Sequence, residues 1–460
     1  MQDSKKSKGY TLSFRLLILC LSLIFLRSGF TFGEDEADLY RMRRERLMEK
    51  VKNGIVLIQS AAGSEHNPSL WDKNLEYLTG ITSRNAVLLL APKGMIVERR
   101  ETHNTPEVGR GCRVREILFV EEQTPWEMRI DGERSSIDLI QKKTGTERVY
   151  GLSRLDETLQ EVLRNEEVLW INKPFISLSQ PLSRDMILVN KIRERFFWLD
   201  LKNVAPLIHE MRRVKEPFEI DCLKKAFEIH TQIFKKIMKT LKPGVNESMG
   251  QAIFEYELRL KANPADLSIF RKEVSDSLDN MAASIIVASG PKATIAHYME
   301  NNRIIQDGEL VLIDAGVSYK GYSSDITRTF PANGKFTPRQ RELYSIVLEA
   351  QKEAIRTMKP GSTALKAHKA VYEHFKKHGL ETYGYGLCGH PVGLNIHDSN
   401  GDFDLPFEPG VVIVIEPFLS IPEEGIGIRI EDGVLITEDG CELLPGPPRE
   451  IEDIEALCQR

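Results

Sequence analysis

Two apolar segments, each carrying an aspartate, place the strongest constraint on the fold of this 460-residue chain. Residues 309–316 form a nearly continuous apolar run that reaches Asp314. Residues 321–330, which contain Asp325, follow after a short turn that contains glycine. Two such runs joined by a short turn predict a β-hairpin. The hairpin would bring the two aspartates close together.

Two glutamates occupy similar positions further along the chain. Glu416 ends the apolar run within residues 410–417, and the alternation of residues 426–432 places Arg429 and Glu431 on the same face of a strand. A charge in such surroundings costs several kcal/mol unless it is paired or binds a metal. Any one of these acids could lie at an exposed strand end, but together they predict a bound cation.

A segment rich in glycine and histidine completes the candidate ligand set. Residues 388–398 contain His390 and His397 among glycines that allow close approach of the backbone. Two aspartates, two glutamates and His390 form an oxygen-rich set that suits a divalent ion such as manganese, cobalt or zinc. Because carboxylates can bridge two ions, a dinuclear centre is expected.

The hydrophobic pattern changes near residue 205, which predicts two domains. Residues 54–150 contain short apolar runs that are typical of strands in a mixed α/β domain. From Ile220 to Ile237 apolar residues recur at helical spacing, so an amphipathic helix is expected to end before Pro243. We therefore predict an α/β (α+β) chain with domains at residues 34–204 and 205–460.

Residues 1–33 form a separate amino-terminal segment. Basic residues precede the apolar run 16–26, and acidic residues follow the segment, a pattern typical of a secretory signal peptide. The run is shorter than the roughly 20 apolar residues of a membrane-spanning helix. We expect a cleaved signal and a periplasmic or extracellular protein, with an uncleaved membrane anchor through residues 16–26 as the alternative.

Charge and composition exclude some classes of partner. The formal net charge is -5 and no basic stripe runs along the chain, so nucleic-acid binding has little electrostatic support. Hydrophobic residues at 41% and charged residues at 28% are typical of a soluble globular protein. Small-molecule or peptide chemistry is therefore favoured.

Three histidines outside this set resemble metal ligands only superficially. His230 lies in the apolar stripe of the predicted helix, which favours a packed core histidine. His374 and His378 stand four residues apart on a predicted helix, but no acidic residue follows the first, as it does in a zinc-binding helix. We predict that these two lie on a solvated helix face.

The order of the candidate ligands and their surroundings resemble the pita-bread metallopeptidases, which include aminopeptidase P, prolidase and methionine aminopeptidase. The motifs are IDAG, SDITRTFPANGKFT, GHPVGLNIHD, IEP and IRIEDGVLIT. They cover about residues 205–455, and residues 325–337 resemble aminopeptidase P in particular. Residues 40–80 are similar to the amino-terminal domain of aminopeptidase P and prolidase, which methionine aminopeptidase lacks. The resemblance implies a creatinase/aminopeptidase P-like domain followed by a pita-bread catalytic domain.

The resemblance also implies a role for each candidate ligand. Asp314 would bind one ion, Asp325 and Glu431 would bridge both, and His390 and Glu416 would complete the other. A hydroxide that bridges the ions would act as the nucleophile, and Glu416 would take the proton. Two divalent metal ions are implied, with Mn²⁺ expected and Co²⁺ or Zn²⁺ as alternatives.

Three further catalytic residues follow from the same resemblance. His297 and His397 match the two non-ligand histidines that hydrogen-bond the substrate and the tetrahedral intermediate. Arg429 matches the residue that orients a bridging carboxylate or contacts the substrate.

The expected function is that of an Xaa-Pro aminopeptidase, which acts on peptides with proline at the second position. An Xaa-Pro dipeptidase (prolidase) is the alternative. A different class would be a pita-bread pseudoenzyme that only binds ligands or a metal-free amidinohydrolase such as creatinase. Because such proteins usually lose ligand carboxylates, the presence of all five ligands argues against them. A homo-oligomer is expected, and the sequence leaves its order open.

Overall fold

The computed structural model describes residues 35–60, 73–82, 85–97, 112–132, 135–172, 182, 184–261, 285–384, 388–398 and 403–459. The predicted signal segment, residues 1–33, lies outside these ranges. The chain divides into two compact units. The first holds the described residues of 35–60, 75–170 and 192–202, and the second holds those of 73–74, 171–191 and 203–459.

A six-stranded mixed sheet lies in the first unit. Its strands are β1 (Ile55–Gln59), β2 (Val87–Val97), β3 (Cys112–Val120), β4 (Arg148–Gly151), β5 (Val168–Ile171) and β6 (Asp200–Asn203), in the order β4-β3-β2-β1-β5-β6. The pairs β1–β2 and β2–β3 are antiparallel, and β3–β4 is parallel. The strands predicted in the amino-terminal half are thus confirmed at β1 and β2.

Six helices are interspersed with these strands along the described chain. They are α1 (Asp35–Val51), α2 (Asn74–Thr79), α3 (Pro125–Asp131), α4 (Ile137–Thr144), α5 (Leu155–Leu163) and α6 (Arg184–Arg195). Arg44 of α1 is fully buried, and its guanidinium is 3.0 Å from the carboxylate of Glu116 on β3. It also donates to the carbonyl oxygens of Leu78 and Thr144. The ion pair and these hydrogen bonds offset part of the cost of burying the charge.

The second unit contains the longest helix of the described residues. Its helices are α7 (Ala205–Arg213), α8 (Pro217–Thr240), α9 (Ser248–Lys261), α10 (Pro338–Arg356), α11 (Ala364–Lys377) and α12 (Ile451–Cys458). The predicted amphipathic helix is confirmed as α8, which begins with Pro217 behind a capping box and ends before Pro243. His230 of α8 is fully buried against Phe234, and its Nδ1 is 3.1 Å from Ser324 Oγ. The prediction of a core histidine is confirmed.

The predicted hairpin is confirmed at the centre of this unit. It consists of β8 (Leu310–Tyr319) and β9 (Tyr322–Pro331), and β7 (Ile286–Ser289) pairs with β8 on the other side. Asp314 pairs with Thr327, and Gly316 pairs with Asp325. Because side chains alternate along a strand, the two aspartates lie diagonally across the hairpin on one face.

Two smaller sheets carry the two glutamates. The strands β10 (Val412–Ile415), β13 (Asp432–Ile436) and β14 (Cys441–Leu443) form one sheet, and β11 (Phe418–Ile421) pairs with β12 (Ile426–Arg429) in the other. Glu416 directly follows β10, and Glu431 directly precedes β13. The antiparallel partners Ile415 and Asp432 therefore bring both glutamates to the same end of the β10–β13 pair.

One prediction about this unit is wrong. His374 does not lie on a solvated face: its side chain is buried, and its Nδ1 is 3.1 Å from Glu353 Oε1. The reason is that His374 continues the apolar stripe of Ala367 and Val371 at helical spacing, so it faces α10. His378, in contrast, is exposed as predicted.

Within the ranges that the structure describes, helices long and apolar enough to span a bilayer are absent.

Candidate metal centre

Four predicted ligands converge in the second unit. Asp325 lies on β9, Glu416 and Glu431 flank the β10–β13 pair, and His390 belongs to residues 388–398. His390 Nε2 is 3.6 Å from Asp325 Oδ2, 3.6 Å from Glu416 Oε1 and 4.0 Å from Glu431 Oε1. Ligand atoms of Asp325, His390 and Glu431 all lie within 4.8 Å of one another, close enough to share a metal ion.

Asp314 joins this cluster from β8 and is held by Arg429. The Arg429 guanidinium forms an ion pair with Asp314 Oδ2, and its Nε donates to Thr327 Oγ1 at 3.2 Å. Its Nη1 donates to the carbonyl oxygen of Ala296 at 3.1 Å. Arg429 therefore fixes the orientation of Asp314, a predicted ligand of one ion, whereas the resemblance implied that it orients a bridging carboxylate or contacts the substrate.

Glu431 provides the clearest test of whether these residues fit a metal. Its Oε2 accepts a hydrogen bond from Thr327 Oγ1 at 2.8 Å. Its Oε1 is buried and has no hydrogen-bond partner among the described residues. A buried carboxylate oxygen without a donor is costly, and a cation beside it removes that cost. The donor set therefore fits divalent metal ions.

The ionisation of the carboxylates leads to the same conclusion. Burial, followed by the neighbouring carboxylates, raises the pKa of Asp325 and of Glu431 well above the usual values. Burial raises the pKa of Glu416 to about 7. Acids packed this closely cannot all be ionised near neutral pH unless a positive charge offsets them.

The surroundings of His390 place the proton of the neutral ring on Nδ1 and leave Nε2, which faces the carboxylates, without a proton. Its Nδ1 lies 3.2 Å from the carbonyl oxygen of Pro391, so Nδ1–H donates there. Burial, followed by the charge of His397, lowers the pKa of His390 to about 4, which favours the neutral imidazole. A neutral ring whose second nitrogen is held by a carbonyl is typical of a metal-binding histidine.

The two predicted non-ligand histidines lie near each other, and His397 lies beside His390 of the cluster. His397 is exposed, and its ring centroid is 4.1 Å from that of His390. Its ring is nonetheless partly desolvated by neighbouring groups, and this partial burial, followed by the charge of His297, lowers the pKa of His397, so the two imidazoles are close enough to interact. Both side chains are exposed to solvent.

Comparisons with known proteins agree with this geometry. Residues 221–438 match the model of metallopeptidase family M24, and residues 40–170 match the amino-terminal domain of aminopeptidase P. Xaa-Pro aminopeptidase of Escherichia coli is 31% identical over 473 residues, which cover 91% of this chain and 97% of that protein. The mitochondrial intermediate cleaving peptidase 55 of Arabidopsis thaliana is 30% identical over 445 residues, which cover 91% of this chain and 82% of that protein. The chain belongs to metallopeptidase family M24.

Solved structures extend the likeness to the whole fold. Pseudomonas aeruginosa aminopeptidase PepP has a TM-score of 0.75 and 28% identity, and the match covers 92% of this chain and 98% of that one. Escherichia coli aminopeptidase P with the inhibitor Pro-Leu has a TM-score of 0.74 and 28% identity, covering 93% and 99%. This M24 metallopeptidase therefore combines an amino-terminal aminopeptidase P domain with a pita-bread catalytic domain, in a mixed α/β architecture. The predicted boundary between residues 204 and 205 falls between the two matched regions and stays a prediction.

Two supporting features of this M24 metallopeptidase escaped the sequence analysis. Thr327 links Glu431 to Arg429 through its hydroxyl, and its position two residues after Asp325 on the same strand face could have indicated it. Asp398 is buried and paired with Arg212, and Lys215 Nζ is 3.4 Å from its Oδ2. It anchors the backbone directly after His397, but its two cationic partners lie too far away in sequence to be predicted.

Proposed function

We propose that this protein is an Xaa-Pro aminopeptidase, which hydrolyses the peptide bond between an amino-terminal residue and a following proline. The observation that carries the proposal is the convergence of Asp325, His390, Glu416 and Glu431 around a carboxylate oxygen that lacks a donor. Relatives named Xaa-Pro aminopeptidase align with this chain over nearly their whole length, which supports the substrate class.

The predicted ligands would hold two divalent ions. They are Asp314, Asp325, His390, Glu416 and Glu431. When bound, such ions polarise a carbonyl group and make water nucleophilic near neutral pH. The oxygen-rich donor set supports Mn²⁺, with Co²⁺ and Zn²⁺ as alternatives.

The remaining chemistry belongs to side chains of this chain. The Glu416 carboxylate, whose Oε1 lies 3.6 Å from His390 Nε2 in the cluster, would accept a proton from the attacking water. His297 and His397, both exposed beside the cluster, are suited to donate hydrogen bonds to the substrate and to the oxyanion that develops. Arg429 holds Asp314 in place through their ion pair.

A chelation experiment with three peptides tests the proposal. The purified protein is treated with a chelator, supplied again with Mn²⁺, Co²⁺ or Zn²⁺, and assayed on Xaa-Pro-Yaa, Xaa-Pro and Xaa-Ala-Yaa. We expect cleavage of Xaa-Pro-Yaa that chelation removes and a metal restores, with little cleavage of Xaa-Ala-Yaa. Preferential cleavage of Xaa-Pro would identify a prolidase. If no ion binds and none restores peptidase activity, the metal-free class is correct.

The cellular location and assembly are proposed from the sequence. The basic and apolar pattern of residues 1–33 supports export, and the alternative is an anchor through residues 16–26. A homo-oligomer is also proposed, and sedimentation of the full chain tests it.

A further inference from the structure

Glu247 is a fully buried acid that takes no part in the metal cluster. Its Oε1 accepts hydrogen bonds of 2.7 Å from both the backbone N–H and the hydroxyl of Ser289. Its Oε2 accepts bonds of 2.9 Å from the Tyr298 hydroxyl and from the backbone N–H of Arg303. All four donors come from one short stretch of chain. We call Glu247, Ser289, Tyr298 and Arg303 the Glu247 cluster.

That stretch carries His297. Ser289 is the last residue of β7, Tyr298 directly follows His297, and Arg303 lies where the chain returns to Glu247. The backbone N–H of Glu247 also donates to the carbonyl oxygen of Arg303 at 2.9 Å. The Glu247 carboxylate therefore holds Ser289 and Arg303, near the two ends of the segment, together with Tyr298 between them.

The other neighbour of His297 is fixed from the opposite side. The carbonyl oxygen of Ala296 accepts a hydrogen bond from Arg429 Nη1 at 3.1 Å, and Arg429 is paired with Asp314. The residues on both sides of His297 are thus held by buried groups, whereas the imidazole itself is exposed. This arrangement suits a side chain that must meet a substrate in one orientation, because small displacements of such groups are costly in rate.

The chemistry of the Glu247 cluster makes it a rigid support. Burial, followed by the hydrogen bond to Glu247, raises the pKa of Tyr298 to about 12, so its hydroxyl stays protonated and donates at physiological pH. Arg303 Nη1 donates to Ser289 Oγ at 2.7 Å, and the same guanidinium pairs with Glu309 at 2.5 Å. Hydrogen bonds to a buried carboxylate are among the stronger ones in proteins.

We propose that Glu247 and Tyr298 are positioning residues for the reaction, because they hold the segment that presents His297 to the substrate. The proposal rests on the proposed function, which assigns His297 to the substrate. Neither residue touches the substrate in this scheme: both act through His297.

Tyr298→Phe is the primary test variant, because it removes one hydroxyl and keeps the ring that packs in the core. Tyr256→Phe, at an exposed tyrosine of α9, is the matched control. kcat/KM on Xaa-Pro-Yaa and metal content are measured for Tyr298→Phe, His297→Ala and the double variant. We expect Tyr298→Phe to lose roughly tenfold in kcat/KM with full metal content, since a displacement of about 1 Å can cost a hundredfold. Tyr298→Phe should cause no further loss of kcat/KM when it is added to His297→Ala.

Several outcomes would overturn the proposal. If Tyr298→Phe lowers kcat/KM equally in the wild-type and His297→Ala backgrounds, Tyr298 acts elsewhere. Loss of metal from Tyr298→Phe would lead to the same conclusion. If His297→Ala has the kcat/KM of the wild-type protein, His297 has no role in the reaction. If the wild-type protein does not cleave Xaa-Pro-Yaa at all, the proposed function itself is wrong.

A second readout does not depend on activity. In histidine-labelled, zinc-loaded protein, the Cε1–H NMR signal of His297 is the one that is missing from the spectrum of the His297→Ala variant. Tyr298→Phe should shift or broaden this signal, and Tyr256→Phe should leave it unchanged. A His297 signal that Tyr298→Phe does not alter would contradict the positioning role, even if the peptidase assay fails.

Discussion

The two imidazoles of residues 388–398 differ in their surroundings, and their variants should therefore fail in different ways. His390 Nε2 faces three carboxylates, whereas His397 is exposed. His390→Ala removes the nitrogen that we propose binds metal and should lower metal affinity, with partial rescue at high metal concentration. His397→Ala should keep its metals and still lose roughly a hundredfold in kcat, the scale expected for a lost oxyanion donor.

Metal content measured beside kcat for these two variants checks that division. His378→Ala, at an exposed histidine outside the cluster, is the matched control and should behave as wild type. Metal loss from His397→Ala as large as that from His390→Ala would mean that the two roles are misassigned.

Thr327 supports the cluster without being charged. Its hydroxyl donates to Glu431 Oε2 and accepts from Arg429 Nε, so Thr327→Val removes both bonds at nearly constant volume. Partners that orient metal ligands typically contribute about 10–100-fold to metal affinity, and we expect a loss in that range. Titration with Mn²⁺ measures it, and Thr437→Val, outside the cluster, is the control. An unchanged affinity would show that Glu431 keeps its orientation without Thr327.

The charged ligands could be predicted from sequence because acids within apolar strands are conspicuous. Asp314, Asp325, Glu416 and Glu431 each interrupt or end such a run, and the structure brings them together. Thr327 gave no such signal, since a threonine is common in strands and its hydroxyl matters only through partners about 100 positions away.

At the scale of the elements, the segment 388–392 and strand β10 determine where His390 lies. Val414 N donates to the His390 carbonyl oxygen at 3.0 Å, and Pro391 forms a bridge with Ile413. Gly389 has a φ of 152°, and a Cβ atom there would lie 2.0 Å from the Val414 carbonyl oxygen. A side chain at this position would therefore push the segment away from β10.

Gly389→Ala should consequently reduce metal content and activity together, because His390 would move with the backbone. Gly440→Ala is the matched control, since a Cβ atom at Gly440 would meet open space. Metal analysis, the peptidase assay and thermal unfolding of both variants provide the comparison. A Gly389→Ala protein with full metal content would show that the contact relaxes without displacing His390.

Elements with a clear period could be predicted, and their long-range partners could not. The helix α8 and the hairpin β8–β9 follow directly from 3.6- and 2-residue patterns. The burial of His374 depends on the packing of α11 against α10, and the Glu247 cluster joins the residue before α9 to a segment more than 40 residues away. Such contacts are decided by tertiary packing, which short-range patterns do not contain.

At the scale of the whole molecule, the metal-stripped protein should respond to pH through its acid cluster. Burial raises the pKa of Glu416 to about 7, and those of Asp325 and Glu431 also lie well above their usual values. Between the unfolded value near 4.5 and about 7, the folded state therefore binds more protons than the unfolded state. The resulting stability is complete below pH 4.5 and is lost as the pH rises through 7.

Metal binding must displace these protons, so affinity should rise with pH across the same range. Calorimetry of Mn²⁺ binding in two buffers with different ionisation enthalpies counts the protons released, and thermal unfolding follows stability. The Mn²⁺-loaded protein is the control and should not lose stability between pH 5 and pH 7 through this cluster. A pH-independent affinity without proton release would show that the carboxylates are already ionised before metal binds.

The amino-terminal pattern predicts where the whole molecule acts. If residues 1–33 direct export and are cleaved, cells that express the full chain should contain mature protein beginning near Glu34 outside the cytoplasm. The reason is that the apolar run 16–26 is long enough for a signal peptide but shorter than the roughly 20 residues of a spanning helix. Cell fractionation with amino-terminal sequencing measures this, and a chain that begins at Glu34 is the matched control and should stay in the cytoplasm. Intact Met1 in the membrane fraction would instead support an anchor, and intact Met1 in the soluble cytoplasmic fraction would contradict export.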